Sequence, residues 1–232
     1  MPRKYALEIS VETAEAALAA ERGGADRIEL CGNLSAGGVT PSAELMSAVR
    51  GQLHIPIFAM IRPRPGDFVY SADEFAAMKN DIGSAKKFGI NGVVLGILES
   101  DHHVDVDRTR ELVELAGPQP TTFHRAFDAS ADLRQALEDV IQTGAARILT
   151  SGGAAGAPEG AAMLAELVAA ARNRVVIVPA AGINASNITR VAQQTRAREF
   201  HSGLSTALPY ASRDYKKFET EVRNLAEILS LL

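Results

Sequence analysis

The stretch YALEISVETAEAALAAERGGADRIELC, residues 5–31, holds two short apolar runs on either side of a segment with helical composition. The runs are YALEIS at 5–10 and RIELC at 27–31, and the helical segment is VETAEAALAAERG at 11–23. A strand followed by a helix and a second strand predicts a βαβ unit, in which the two strands lie parallel. The same alternation runs through the rest of the chain.

Six further apolar runs follow, most of them separated by segments of helical composition. The runs are IPIFAMIR (55–62), GVVLGIL (92–98), TTFH (121–124), RILTS (147–151), VVIVPAAG (175–182) and REFHS (198–202). The helical segments lie at 71–89, 105–117, 130–144, 159–172 and 184–195. Ser71 and Ser130 stand where helix N-caps are expected, and Glu74 follows Ser71 at the spacing of a capping box.

The number of units decides between two α/β architectures. Six units would suffice for an open doubly wound sheet, whereas eight units in 232 residues favour a closed (β/α)8 barrel that forms one domain over residues 1–232. The stretch GGADRIEL (23–30) is also echoed four units later by TGAARILT (143–150), as two half-barrels would place it. The first glycine-rich loop, CGNLSAGG (31–38), lacks the G-x-G-x-x-G order of a dinucleotide fold. The predicted fold is therefore a (β/α)8 barrel.

Composition excludes several classes of partner. The net charge is −4 and the acids and bases are mixed, with no Lys/Arg run, so nucleic acid is not an expected partner. No apolar run approaches the roughly 20 residues of a membrane span, and the start MPRKYALEIS lacks the apolar segment of a secretory signal. The single cysteine excludes an internal disulfide framework. We expect a cytoplasmic protein that does not enter a membrane.

Polar residues at the C-terminal ends of the predicted strands are the candidates for a functional site, because barrels of this type carry their sites there. The candidates for acid–base or electrostatic roles are Glu8, Glu29, Arg62, His124, Asp128 and His201. A structural alternative stays open for Glu8 and Glu29, which could pair with Arg27 or Arg147 inside the barrel. Asp128 could orient His124 or begin the next helix, and we expect Arg125 to pair with a neighbouring acid.

An anion site is predicted at the same end of the barrel. The loop IRPRPGDF (61–68) is stiffened by two prolines and places Arg62 as a clamp for a carboxylate or phosphate. Backbone N–H groups in the glycine-rich ends of the last three strands suit the same purpose. With Arg62, the predicted anion-binding residues are Ser151, Gly152, Gly182, Ser202 and Gly203.

Two chemistries are disfavoured. The six lysines lie in the N-terminal tail or in helical segments, away from the strand ends, which argues against a Schiff-base aldolase. No G-x-S-x-G elbow is present, which argues against a serine hydrolase.

Five stretches together resemble the CutC family, which is named for copper homeostasis. They are GGADRIELCGNLSAGGVTPS (23–42), IRPRPGDFVYS (61–71), TFHRAFD (122–128), RILTSGG (147–153) and EFHSG (199–203), and they are distributed along most of the chain. The resemblance implies a (β/α)8 barrel, a cytoplasmic location, homo-oligomers and copper binding. The chain departs from the family pattern at Ser10, where many relatives have a cysteine.

Copper binding would depend on Cys31, the only residue that can supply the thiolate that Cu(I) prefers. Met60 is a neighbouring thioether if the strand phase brings it to the same side. One cysteine is a poor Cu(I) site within a monomer, but two copies of Cys31 could meet across a subunit interface.

Two functions therefore stay open. One is a copper-handling protein that binds copper through Cys31. The other is an enzyme that acts by isomerisation, aldol cleavage or hydrolysis on a small anionic or phosphorylated metabolite, with a divalent metal or with no cofactor.

Overall fold

The computed structural model describes residues 4–204 and 214–232. All eight predicted strands are present, most of them shorter than the apolar runs that predicted them. The strands are β1 (Ala6–Val11), β2 (Arg27–Leu30), β3 (Ile57–Met60), β4 (Gly92–Leu95), β5 (Thr121–Phe123), β6 (Arg147–Thr150), β7 (Val176–Pro179) and β8 (Glu199–Ser202).

The strands form one parallel sheet in the order β7-β6-β5-β4-β3-β2-β1-β8. The two strands at the ends of this order, β7 and β8, contact each other, so the sheet is a nearly closed barrel. The predicted (β/α)8 barrel is confirmed.

Helices follow the strands and cover the outside of the barrel. In the described residues they are α1 (Ala14–Gly23), α2 (Ala43–Arg50), α3 (Ala72–Lys87), α4 (Val106–Ala116), α5 (Leu133–Thr143), α6 (Ala161–Ala171), α7 (Ile188–Thr195) and α8 (Tyr215–Ser230). Within that part of the chain, no helix combines the length and the apolar character that a membrane crossing requires.

Two predicted helix starts have different outcomes. Ser71 caps α3 with Glu74 in a complete capping box, as predicted. The cap of α5 is Asp132 rather than Ser130, because the Asp132 carboxylate accepts from the N–H groups of Arg134 and Gln135. Ser130 instead ends a short 3-10 turn over Arg125–Ala129.

Alternation along the strands separates two apolar layers. Ile28 and Leu30 of β2 belong to the large core between strands and helices, as does Ile57 of β3. Residues of the opposite parity, Cys31 and Met60, pack together in a smaller cluster. Because side chains alternate between the two faces of a strand, this second set points into the barrel.

The strand register sets which polar side chains share a level inside the barrel. Glu8 of β1 lies beside Arg27 of β2 on one side and His201 of β8 on the other. One level nearer the C-terminal mouth, Ser10 lies beside Glu29. The register therefore brings two carboxylates, a guanidinium and an imidazole together.

Candidate functional site

A cavity of about 430 Å³ opens at the C-terminal end of the barrel. Among the predicted site residues, the ones that line it are Glu29, Arg62, His124, Gly182, His201 and Gly203. The apolar part of its lining includes Met60, Phe68, Leu149 and Ala180. The structure thus gathers residues from β2, β3, β5, β7 and β8 around one space.

Glu8 lies below this cavity in a buried ion-pair network. Arg27 Nε donates to Glu8 Oε2, and Arg27 Nη2 donates to Glu199 Oε2 at 2.8 Å. Arg147 Nε also donates to Glu199, at 2.9 Å. Burial by itself would raise the pKa of Glu8, but the charge of Arg27 and the hydrogen bond with His201 hold that pKa at about 2. The pairing of Glu8 with Arg27 that the sequence left open is present.

His201 lies between the two carboxylates of the cluster. Its Nδ1 is 2.8 Å from Glu8 Oε1, and its Nε2 is 3.8 Å from Glu29 Oε2. Burial opposes the charged imidazolium, yet the nearby carboxylates of Glu29 and Glu8 raise the pKa of His201 above its ordinary value. The two carboxylates therefore favour the protonated form of His201.

Glu29 has the least satisfied carboxylate of the cluster. Its Oε1 is buried without a hydrogen-bond partner among the described residues, and its Oε2 accepts from Cys31 Sγ at 3.5 Å. Burial, together with the charge of Glu8, raises the pKa of Glu29. An unpartnered buried carboxylate oxygen is costly, which suggests that it serves a ligand.

The cluster has the chemistry of a metal site. Glu8, Glu29 and His201 each offer one ligand atom, and these atoms lie within 4.8 Å of one another. Two carboxylate oxygens and an imidazole nitrogen suit a first-row divalent ion, since this mixture of ligands binds zinc, copper and iron in proteins. The unpartnered Glu29 Oε1 fits such an ion, which would supply its missing partner.

Cys31 is adjacent to this cluster but wholly buried. Burial and the charge of Glu29 raise the pKa of the Cys31 thiol well above its ordinary value. Met60 packs with Cys31 in the smaller apolar cluster inside the barrel, as the strand phase predicted. Two copies of Cys31 cannot meet across a subunit interface while the barrel is intact, because the side chain points into the barrel rather than toward its surface.

His124 lies on the other side of the barrel, four strands away from Glu8 in the sheet order. Its Nδ1 accepts from the N–H of Ala126 at 3.2 Å, which leaves the proton of the neutral ring on Nε2. Nε2 is buried without a partner in the described part of the chain. Burial, and then the charge of Arg62, lower the pKa of His124 to about 3. His124 is therefore a neutral imidazole that lines the cavity, with a buried and unpartnered Nε2–H.

Arg62 is a buried cation held by backbone carbonyls. Its Nη1 donates to the carbonyls of Gly37 and Gly38 at 3.1 and 3.0 Å, and its Nη2 donates to Gly66 at 2.7 Å. Carbonyls carry no net charge, so the positive charge at the cavity stays uncompensated by these contacts. The Phe68 ring lies 4.9 Å from Arg62 Cζ and 4.9 Å from the ring centre of His124.

The Asp128 carboxylate binds Arg125 and the loop after β6, and no hydrogen bond joins it to His124 among the described residues. It accepts from Arg125 Nε at 2.8 Å, from the N–H of Ser151 at 3.0 Å and from the N–H of Gly153 at 3.0 Å. The N–H of Gly152 donates to Thr150 Oγ1. The glycine-rich loop after β6 thus encloses the carboxylate of Asp128, so Ser151 and Gly152 have no N–H group left for the anion site predicted there. The expected pairing of Arg125 with a neighbouring acid is confirmed.

The glycine-rich ends of β7 and β8 differ from that loop. Gly182 and Gly203 line the cavity, and Gly182 has a left-handed φ of 72°. Ser202 is buried, and its hydroxyl donates to the carbonyl of Ile183 at 2.7 Å. Ser202 is therefore engaged in packing between two strand ends.

Phe68 is the site residue that sequence reasoning missed. It is the last residue of the loop IRPRPGDF, in which the sequence analysis singled out only Arg62 and the two prolines. An aromatic residue six positions after a clamp arginine was the available signal, because guanidinium groups stack on aromatic faces.

A family model and individual relatives all match this chain to the CutC family. A sequence model of the CutC family matches residues 5–206. A CutC family protein of Chromobacterium violaceum is 49% identical over 207 residues, covering 89% of this chain and 84% of that protein. A human protein named copper homeostasis protein cutC homolog is 45% identical over 197 residues, covering 85% of this chain and 72% of that protein.

Solved structures agree on the fold. The crystal structure of a CutC protein from Streptococcus agalactiae has a TM-score of 0.81 and 32% identity, covering 85% of this chain and 98% of that one. Phosphoribosyl anthranilate isomerase from Thermotoga maritima has a TM-score of 0.63 at 15% identity, covering 96% of this chain and 98% of that one. At that identity the second likeness shows the barrel fold alone.

Proposed function

The chain belongs to the CutC family, and from this premise we propose that it serves copper homeostasis by binding a metal ion at the mouth of its barrel. The observation that carries the proposal is the convergence of Glu8, Glu29 and His201, whose ligand atoms lie within 4.8 Å of one another. The names of the relatives supply copper as the expected metal. We place this role in the cytoplasm and in a homo-oligomer, as the family resemblance implies.

The donor set favours Cu(II) or another divalent ion at the cluster. Carboxylates and imidazole are harder ligands than the thiolates that Cu(I) prefers, and the only thiol is protonated next to Glu29. A bound ion must displace the proton of His201, so metal binding competes with protons. Cys31 remains our proposed ligand for Cu(I), because it is the only cysteine of the sequence and the thioether of Met60 packs beside it.

Metal titration of the chelator-treated protein tests the proposal. Isothermal titration calorimetry with Cu(II) or Zn(II) should show one saturable site for each ion. The same titration with Cu(I) is carried out under anaerobic reducing conditions and should also show one site. Glu29→Gln and His201→Asn should each weaken binding of the divalent ions by roughly tenfold or more. His54→Asn is the matched control, because the His54 side chain is 93% exposed. Unchanged binding in both cluster variants would remove this site.

A second candidate function is an enzyme that acts on a small anionic metabolite. One observation favours it: His124 presents an unpartnered Nε2–H beside the buried charge of Arg62. Glu29 and His201 would then supply proton transfer from the other side of the cavity. Thermal-shift screening of anionic metabolites tests this function, and a true hit should disappear in both His124→Ala and Arg62→Ala.

A further inference from the structure

We propose that Arg62, Phe68 and His124 form a binding site for the carboxylate of a small organic acid that carries an apolar body. This inference deepens the second candidate function, since it names the ligand class of the same cavity. It does not depend on a metal at the Glu8–Glu29–His201 cluster.

The first support is the geometry of His124. The side chain is only 3% exposed, and its Nδ1 is fixed by the N–H of Ala126. His124 lines the cavity, and its buried Nε2–H has no acceptor among the described residues. A buried donor without an acceptor is costly, and a ligand oxygen would remove that cost.

The second support is the environment of Arg62. Arg62 is only 6% exposed, and its three backbone acceptors are neutral carbonyls, whereas Asp67 of the same loop is exposed and pairs with Arg64. A buried cation normally has a counter-ion, because desolvating a single charge is costly. An anion in the adjacent cavity would supply that charge.

The third support is the apolar surface next to these two groups. Phe68 contacts both Arg62 and His124, and Met60, Leu149 and Ala180 continue the lining. A cavity of about 430 Å³ is of ordinary size for a small-molecule site, which is usually apolar with a few oriented polar groups. The ligand should therefore carry one charged end on a hydrocarbon body.

The available donors favour a carboxylate over a phosphate. Arg62 and His124 line the cavity, while Glu29, which lines it too, contributes a carboxyl group and no N–H donor. In the loop after β6, where an anion site was predicted, the N–H groups of Ser151 and Gly153 already donate to Asp128.

Titration with three simple probes tests the site. Chelator-treated protein is titrated calorimetrically with benzoate, with its uncharged analogue benzamide, and with inorganic phosphate. We expect saturable binding of benzoate and at least roughly tenfold weaker binding of the other two, the size expected for one hydrogen bond to a charged group. In ¹⁵N NMR of the imidazole groups, benzoate should shift the Nε2–H signal of His124.

Variants locate the binding. His124→Phe keeps a ring without the donor and should weaken benzoate binding roughly tenfold, whereas His124→Gln restores an N–H donor and should recover part of the affinity. Arg62→Met should abolish binding. Arg64→Met is its matched control, because Arg64 lies in the same loop but pairs with Asp67 and Glu74. Thermal unfolding establishes whether each variant is folded. If Arg62→Met does not fold, the two His124 variants decide the outcome.

Three results would overturn the inference: no saturable benzoate binding, phosphate binding as tightly as benzoate, or equal benzoate binding in His124→Phe and the parent protein. A Zn(II) titration of the same sample separates this site from the metal cluster. Zinc binding without benzoate binding rejects the carboxylate site alone. Phosphate binding that is lost in His124→Phe rejects the carboxylate class while leaving the second candidate function intact.

Discussion

The backbone N–H of Ser151 donates to both carboxylate oxygens of Asp128, at 3.0 Å each. Thr150 Oγ1 and the N–H of Gly153 donate to the same carboxylate. The glycine-rich loop after β6 therefore binds an anion that the chain itself supplies. This contact ties the turn after β5 to the end of β6 and holds one rim of the cavity.

Asp128→Ala should lower the free energy of unfolding by about 2–4 kcal/mol, because it leaves the buried Thr150 hydroxyl and the N–H of the buried Ser151 without their acceptor. Urea denaturation measures the change. Asp107→Ala is the control: the Asp107 side chain is 94% exposed, and its surface ion pair with Arg110 should contribute less than about 1 kcal/mol. Equal effects of the two substitutions would contradict the structural role of Asp128.

Arg27→Met should destabilise the barrel by about 3–5 kcal/mol at neutral pH, since it leaves the buried Glu8 carboxylate without its guanidinium, while Glu199 keeps Arg147 as a partner. The loss should show in chemical denaturation. Arg22→Met breaks a pair with Glu219 in which the Arg22 side chain is 54% exposed, and it should have little effect. A mild effect of Arg27→Met would show that the network tolerates an unpaired Glu8.

The buried His124 should make the free energy of unfolding decrease as the pH falls below the ordinary pKa of histidine. Its pKa is about 3 in the folded chain against 6.5 ordinarily, so both states are neutral above pH 6.5. Below that pH the unfolded chain takes up a proton that the folded chain refuses, which costs up to about 1.4 kcal/mol per pH unit until the folded pKa is reached. Relative to His124→Gln, the parent protein should lose stability between pH 7 and 5. The free energy of unfolding is measured by urea denaturation at each pH. The same pH dependence in the parent protein and in His124→Gln would contradict a buried, neutral His124.

Gly96→Ala should weaken benzoate binding without replacing any of the three proposed contact residues. A Cβ at residue 96 would lie 2.6 Å from His124 Nδ1, so the imidazole must move. Gly83→Ala is the control, because a Cβ there meets nothing within 4 Å. Calorimetric titration of both variants with benzoate gives the answer, and equal affinity would argue that the position of His124 is unimportant.

Cys31→Ser should separate copper(I) from divalent metals. It removes the only thiol next to Glu29 and should lower Cu(I) affinity, while Zn(II) binding by Glu8, Glu29 and His201 should change little. Competition titrations with a chromogenic chelator measure both affinities. Loss of Zn(II) binding in Cys31→Ser would mean that the sulfur belongs to the divalent site.

The sequence alone determined the barrel and the end of it that carries the candidate residues. Eight apolar runs alternating with helical segments have few other solutions, because a parallel strand pair requires a crossover and both faces of the sheet must be covered. The strand phase likewise put Cys31 beside Met60 and Arg62 at the mouth. These are consequences of short-range periodicity.

The tertiary structure decided which polar groups are free for a ligand. Sequence periodicity could not show that Asp128 fills the loop at Ser151, since the two are separated by a helix and a strand. It also could not show that Glu8 is neutralised by Arg27 while Glu29 and His124 keep unpartnered atoms. Hydrogen-bond satisfaction depends on register and on contacts between distant strands, so only the closed barrel determines it.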